Sequence, residues 1–459
     1  MTSNTLLRVD RLHLRNFRCF GECIVELHQV LTVLVAENAR GKTAVLDALG
    51  IALGPFVDTV AGTTSFRGFD RSDVRLVRGE NAEMEPVLPT EFEADGCVAG
   101  QTIHWRRVLN GYGLRARTTN KEAESLREAA AHLRTTAEDR PTEDNVVPPI
   151  LPLVAFYGTG RLWSEHRLTE GKRKYVVAAD GRRSGYTDCL SSSSSFKGMV
   201  AWYENKMNET RDPRFKSELH RNLPLLAAVK EATRVVLAPT GWCELDWDFE
   251  KRSLVVSHPD YGRLPLSILS DGVRNMIALV ADIARRCASL NPHLNEAAAR
   301  LTPGVLLIDE VDMHLHPRWQ QLVVGLLQNA FPAMQMILST HSPHVLSTVD
   351  SDSIRVIRLS GSTGVLGRPA FQTRGVESAD VLAKVMDVDP VPQVEQAQWL
   401  SDYRAFVQIG EQESVAARTL WDKLLNHFGK EHPVLTEVEM LRRLQVFKRD
   451  NKLPLEGSS

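Results

Sequence analysis

Charge of one sign is what this chain most lacks: 55 Lys and Arg stand against 57 Asp and Glu over 459 residues, a net charge of −2. That balance excludes binding to nucleic acid by bulk attraction and leaves the task to local patches. Cysteine is sparse, with six residues at 19, 23, 97, 189, 243 and 287. Cys19 and Cys23 form a lone CxxxC without a second pair, so buried thiols in a reducing cytoplasm are expected rather than a zinc or redox centre. No apolar run approaches the roughly 18 residues of a membrane span and no signal peptide is recognisable, so no membrane role is expected. Internal repeats and sustained heptads are missing as well, which excludes a long coiled coil. What remains, 43% hydrophobic and 24% charged residues, is ordinary for a folded protein long enough for two or three domains.

Against this plain background three short segments carry chemistry. Asn38-Ala39-Arg40-Gly41-Lys42-Thr43 follows a strand expected at 31–35 and precedes a helix expected at 43–53. Strand, glycine loop and helix are the context in which backbone N–H groups cradle phosphates, Lys42 reaches the β- and γ-phosphates and the Thr43 hydroxyl binds Mg²⁺. Two loop positions that usually hold glycine are Ala36 and Ala39; a positive φ at either adds strain of about 1 kcal/mol or more. Val305-Leu306-Leu307-Ile308-Asp309-Glu310 reads as a strand buried on both faces with two carboxylates at its carboxyl end, where open α/β sheets bind ligands. Asp309 suits the magnesium ion, and Glu310 suits a general base for the attacking water. Ser339-Thr340-His341 ends a further strand. Leu269-Ser270-Asp271-Gly272-Val273-Arg274 lies where a strand gives way to a helix, presenting a hydroxyl and a helix N-terminus to an anion.

Taken in this order, phosphate loop, signature, Asp-Glu strand and switch histidine resemble the ABC-type ATPase head of the SMC and RecF kind, over about residues 6–360. The resemblance implies an α/β head with mixed and parallel sheets, a helical insertion and a helical C-terminal tail. It implies that two heads dimerise around Mg-ATP, with Lys42 of one facing Ser270 and Gly272 of the other. His341 then contacts the γ-phosphate, Asp312 lies in the loop joining the sites, and Asp73 is a further candidate metal ligand in a Q-loop-like segment. Asp271 and Arg274 depart from the commoner signature. Phe156-Tyr157-Gly158-Thr159-Gly160-Arg161-Leu162-Trp163 and Asp309 to Pro317 further resemble the PtuA ATPases of Septu and retron-linked defence. That likeness implies an HNH endonuclease partner, with a reverse transcriptase and its msDNA as further partners.

The expected division is an N-terminal part of the head at 1–161, a mostly helical insertion at 162–239, the C-terminal part of the head at 240–374, and a helical domain for oligomer or partner contacts at 375–459. Residues 191–195 read as a mobile serine loop. The chain carries no HNH constellation, so no nuclease activity of its own is expected. Two other functions compete: a RecF-like repair ATPase touching DNA through Arg106, Arg107, Arg115, Arg117 or Lys172 to Lys174, and a nucleotide-binding scaffold with little turnover. Trp399, Tyr403 and Phe406 recur at helical spacing, as either core or docking surface. His314 and His316 lack a third ligand and are not read as a zinc site.

Overall fold

The computed structural model describes residues 6–62, 68–112, 118–119, 121–138, 148–161, 181–191 and 196–450, and the chain divides into two compact units, 1–386 and 387–459. Strands β1 (Leu7–Phe17), β2 (Phe20–Glu26) and β3 (Leu31–Val35) open the first unit, and β4 (Leu76–Arg78) pairs with β5 (Met84–Pro86) as a small hairpin. Then come β6 (Thr90–Val98), β7 (Gln101–Leu109), β8 (Thr118–Thr119) and β9 (Leu153–Tyr157). A three-stranded antiparallel sheet holds β10 (Leu245–Asp248), β11 (Ser253–His258) and β12 (Gly262–Pro265). β13 (Gly304–Ile308), β14 (Met334–Ser339), β15 (Ile354–Ser360) and β16 (Thr363–Gly367) complete the unit.

One eleven-stranded sheet runs β8-β7-β6-β1-β2-β16-β15-β3-β14-β13-β9. From β9 to β15 its neighbours are parallel, and from β8 to β2 they are antiparallel. β16 joins the halves, antiparallel to β15 and parallel to β2. The physical difference is legible in the residues. β3, β9, β13 and β14 are buried throughout, so apolar side chains are needed on both faces. β2 alternates buried and open positions, and its open face belongs to a ladder of charges. There His13 bonds Glu22 at 2.9 Å, while Arg106 on β7 pairs with Glu91, Glu93 and Glu122.

Helix α1 (Lys42–Ala61) continues beyond the expected stop at 53, through Pro55. The hydrogen bond that proline forgoes is offset by burial of Phe56, Val57 and Val60. By length and mean hydropathy (1.6) α1 is apolar enough to cross a membrane, contrary to the sequence-based expectation that no run is, but 83% of that window is buried inside the protein. It is the central core helix. α2 (Glu124–Glu138) packs on it, and α3 (Phe196–Arg211) and α4 (Lys216–Leu237) pack on α5 (Asp271–Leu290). Within the stretch read as an insertion, residues 162–180 and 192–195, including most of the serine run, lie outside the described residues. Its helices bury Met199, Tyr203, Leu226 and Val229 in the main core.

The segment after Gly375 does not separate at once. Helix Ser378–Lys384 places Val381 in the first unit's core, followed there by Val385, and Ser378 Oγ bonds His344 Nδ1 at 2.7 Å. The second unit, from Asp387, holds helices Glu395–Gln408, Val415–Phe428 and Pro433–Asp450. Its small core is Tyr403, Val407, Ala417, Leu424, Leu435 and Val438, with Trp399 and Phe406 against it. Tyr403 stacks on Trp421 at 5.0 Å between centroids. The aromatic repeat at helical spacing is therefore core.

Candidate functional site

β3 delivers the chain into residues 36–41, and α1 starts at Lys42 with Gly41 as its N-cap at φ 97° and no side-chain cap. Only glycine fits there. A methyl group at Gly41 would lie 2.3 Å from the Phe20 ring, which with Cys19 backs the loop from the β1–β2 turn. Ala39 sits at φ 60°, the strained left-handed region, whereas Ala36 does not. The departure from glycine thus has its cost at Ala39 alone. Ala39→Gly is expected to raise stability by up to about 1 kcal/mol, the relief at φ > 0 exceeding the added freedom of the unfolded chain; a lower thermal midpoint than wild type would contradict this.

Lys42 is buried, and its Nζ donates to the Ala36 and Glu37 carbonyls at 2.9 and 3.2 Å. Burial lowers its pKa, opposed by Asp309, Glu310 and Asp312. A buried ammonium resting on two neutral carbonyls fits an anionic ligand. Thr43, exposed at the mouth, donates from Oγ1 to Asp309 Oδ2 at 2.8 Å, across 266 residues of sequence. Asp309 is itself buried, and its other oxygen accepts from Ser339 Oγ at 2.5 Å. Ser339 also accepts the Glu310 amide at 2.8 Å. Thr43 and Asp309 are hard oxygen donors side by side, a set that fits Mg²⁺. Glu310 holds φ 47°, so the acidic pair sits on a strained turn.

Thr340 donates to Asp312 Oδ1 at 2.5 Å, tying the switch segment to the loop after β13. His341 is half-buried. Burial and then Lys42 lower its pKa below 6.5, while Glu310, Asp312 and Asp309 pull the other way. The ring is neutral in both folded and unfolded chains above pH 6.5. As pH falls below 6.5 the unfolded chain takes up its proton first, so stability drops until the lower folded pKa is passed. Thermal unfolding over a pH series is expected to show wild type losing more stability than His341→Gln below pH 6.5; parallel curves would exclude the shift.

The signature segment lies against the same loop. α5 starts after an exposed Ser270 N-cap that makes no side-chain cap bond, and a methyl at Gly272 would come 2.7 Å from the His314 carbonyl. Asp271 and Arg274 pair with each other, and Arg274 Nη1 donates to the Ser267 carbonyl at 3.2 Å. Asn38 and Arg40 are exposed on the phosphate loop, Arg40 Nε bonding Glu37 at 3.2 Å.

Asp73 requires a correction. It is fully buried, and its oxygens accept from Arg18 Nε, Arg18 Nη2 and the Asp70 amide at 3.1, 2.8 and 2.9 Å. Arg18 also reaches Asp47 on α1 at 2.6 Å. A carboxylate so engaged braces α1 rather than offering itself to a metal. The proposed basic contacts change too. Arg106 is neutralised by glutamates, Arg107 is buried with its guanidinium on the Ile51 carbonyl, and Arg115, Arg117 and Lys172 to Lys174 lie outside the described residues. Sequence reasoning missed Arg18, Asp47 and Phe20, whose partners are distant in the chain. Ser339 was inside a recognised motif, but its grip on both carboxylate residues carries no local signal.

Sheet order, phosphate loop and acidic strand end together define an α/β ABC-type ATPase head. An AAA domain matches residues 11–219, and an AAA domain described as a putative AbiEii toxin of a Type IV TA system matches 202–347. The chain is 42% identical over 465 residues to the retron Vc95 probable ATPase of Vibrio cholerae serotype O1 biovar El Tor, covering 90% of this chain and 85% of that protein. It is 25% identical over 503 residues to the retron Ec83 probable ATPase of Escherichia coli, covering 97% and 88%. The Septu protein PtuA of Bacillus mycoides (strain KBAB4) is 41% identical over 92 residues, 20% of this chain and 12% of that one. The chain belongs to the retron ATPase family.

Proposed function

We propose that this chain hydrolyses ATP with Mg²⁺ and uses the cycle to regulate a separate nuclease in an anti-phage defence complex. The observation that carries the chemistry is the meeting of Thr43 and Asp309 at 2.8 Å, with Lys42 buried alongside. Thr43 and Asp309 would hold the ion, which would supply positive charge to offset that of the phosphates. Lys42 and the amides of 39–43 bind the phosphates, helped by the N-terminus of α1. Ser339 fixes Asp309 and the Glu310 amide together, so the Glu310 carboxylate is positioned to take a proton from water. His341, neutral at physiological pH, donates a hydrogen bond to the terminal phosphate.

Ser270 stands exposed and Gly272 half-buried at the start of α5, and the two meet the nucleotide of a second copy, in a head-to-head dimer. Residues 1–161 and 240–374 form the head, and the tail from about 375 serves oligomer or partner contacts. Its exposed Ile409, Val415 and Met440 support that role. Likeness to retron and Septu ATPases supports an HNH endonuclease as partner, with a reverse transcriptase and msDNA in the same assembly. Direct DNA binding has less support, because Arg106 and Arg107 are already engaged. Magnesium-dependent phosphate release tests the ATPase; its absence would favour the scaffold reading. Retention of an HNH protein on the tagged chain through gel filtration tests the complex, and separation of the two would refute it.

A further inference from the structure

We infer that Tyr157 is a positioning residue that joins the acidic end of β13 to α5, so that the Asp309–Glu310 turn and the Ser270 helix shift as one piece. This rests on the site assigned above. Tyr157 closes β9 and is bonded at both ends. Its carbonyl accepts the Asp309 amide at 2.8 Å, and its hydroxyl donates to Asp282 Oδ2 on α5 at 2.7 Å. Asp282 Oδ1 accepts from Arg285 Nε and Nη2 at 2.9 and 2.7 Å, and Oδ2 accepts from Arg286 Nε at 2.8 Å. Arg286 continues outward, donating from Nη1 to the Gly185 and Thr187 carbonyls at 2.9 and 2.7 Å. Tyr157, Asp282, Arg285 and Arg286 are all buried.

The surroundings make this joint informative. Beside Asp282, α5 presents Ile277, Val280, Ala281, Ile283 and Ala284 to the core. Apolar surfaces of this kind tolerate sliding and rotation, because the hydrophobic effect has no direction. A buried carboxylate gripped from four donors admits one register, since any other leaves charges unpaired. From Asp271 to Asp282 the helix is unbroken and about 16 Å long at 1.5 Å per residue. α5 is tied to the surroundings of the acidic strand end at two points: Gly272 lies against the His314 carbonyl in the loop after β13, and Asp282 bonds Tyr157 on β9, whose carbonyl holds the Asp309 amide. A shift of Asp309 is passed through Tyr157 to the helix that carries Ser270.

Tyr157→Phe in the full chain removes the hydroxyl and keeps the ring. Without nucleotide, hydrogen exchange is expected to rise at least threefold in 271–280 and in 309–312 together. With Mg-ATP, kcat is expected to fall about tenfold with KM within twofold, a split that loss of packing alone does not produce. Asp282→Asn is expected to give the same pattern; where it fails to fold, Tyr157→Phe decides. Faster exchange confined to 153–157, or unchanged kcat in an active enzyme, overturns the inference. Absence of turnover in the wild type would sink the ATPase reading instead, while the exchange measurement still decides the coupling.

Discussion

Glu310→Gln is expected to lower phosphate release by about 10²- to 10⁴-fold, the range for removing a general base, while ATP remains bound. The amide keeps the size and polarity of the side chain on its strained turn at φ 47°, and the Ser339 bond to the residue's backbone N–H does not involve the carboxylate. Binding groups and the proton acceptor are thus separable. Lys42→Ala is the counterpart: it deletes the buried ammonium beside the loop carbonyls and is expected to abolish detectable ATP binding. Filter binding and single-turnover phosphate release distinguish the two. A Glu310→Gln protein with wild-type turnover would remove Glu310 from the mechanism, and a Lys42→Ala protein with unchanged affinity would remove the site. Under the dimer reading, Glu310→Gln with ATP should also shift to a larger species in gel filtration.

Asp282→Ala has the largest expected effect on stability, about 3–5 kcal/mol, because it strands two arginines inside the protein. Burial works against the Asp282 carboxylate, yet Arg285 and Arg286 outweigh it and hold its pKa below the ordinary 3.8. The sign follows from linkage. A depressed carboxyl pKa contributes stability in full above 3.8, and that contribution is lost as pH falls below 3.8 toward the folded value. Denaturant unfolding at neutral pH should show the full difference, narrowing in acid. A change under 1 kcal/mol at neutral pH would mean that the arginines find other acceptors.

Reading the chain residue by residue reached a good deal of the fold. β3, β9, β13 and β14 announce themselves as short, mostly apolar runs, and Lys42, Thr43, Asp309 and His341 announce themselves by motif. It stopped short at Pro55, where local chemistry says a helix ends and burial of the next turn carries it on to Ala61. It overlooked β16, a short glycine-bounded strand held by β2 and β15. It misjudged Asp73, whose sequence neighbours suit a turn near a nucleotide but whose carboxylate is taken by Arg18, 55 positions away. Nor could it foresee that Arg106 would be neutralised by Glu91 across paired strands.

Short-range patterns sufficed to nominate the phosphate-binding residues and to find the strand that ends in two acids, because spacing along a few residues dictates a loop, a cap or a buried strand. What those patterns left open is which carboxylate faces Thr43 at the phosphate loop and which braces α1 through Arg18, and how Tyr157 reaches Asp282 over 125 positions. Those outcomes depend on burial and on partners that only the folded sheet and α5 bring within hydrogen-bond distance.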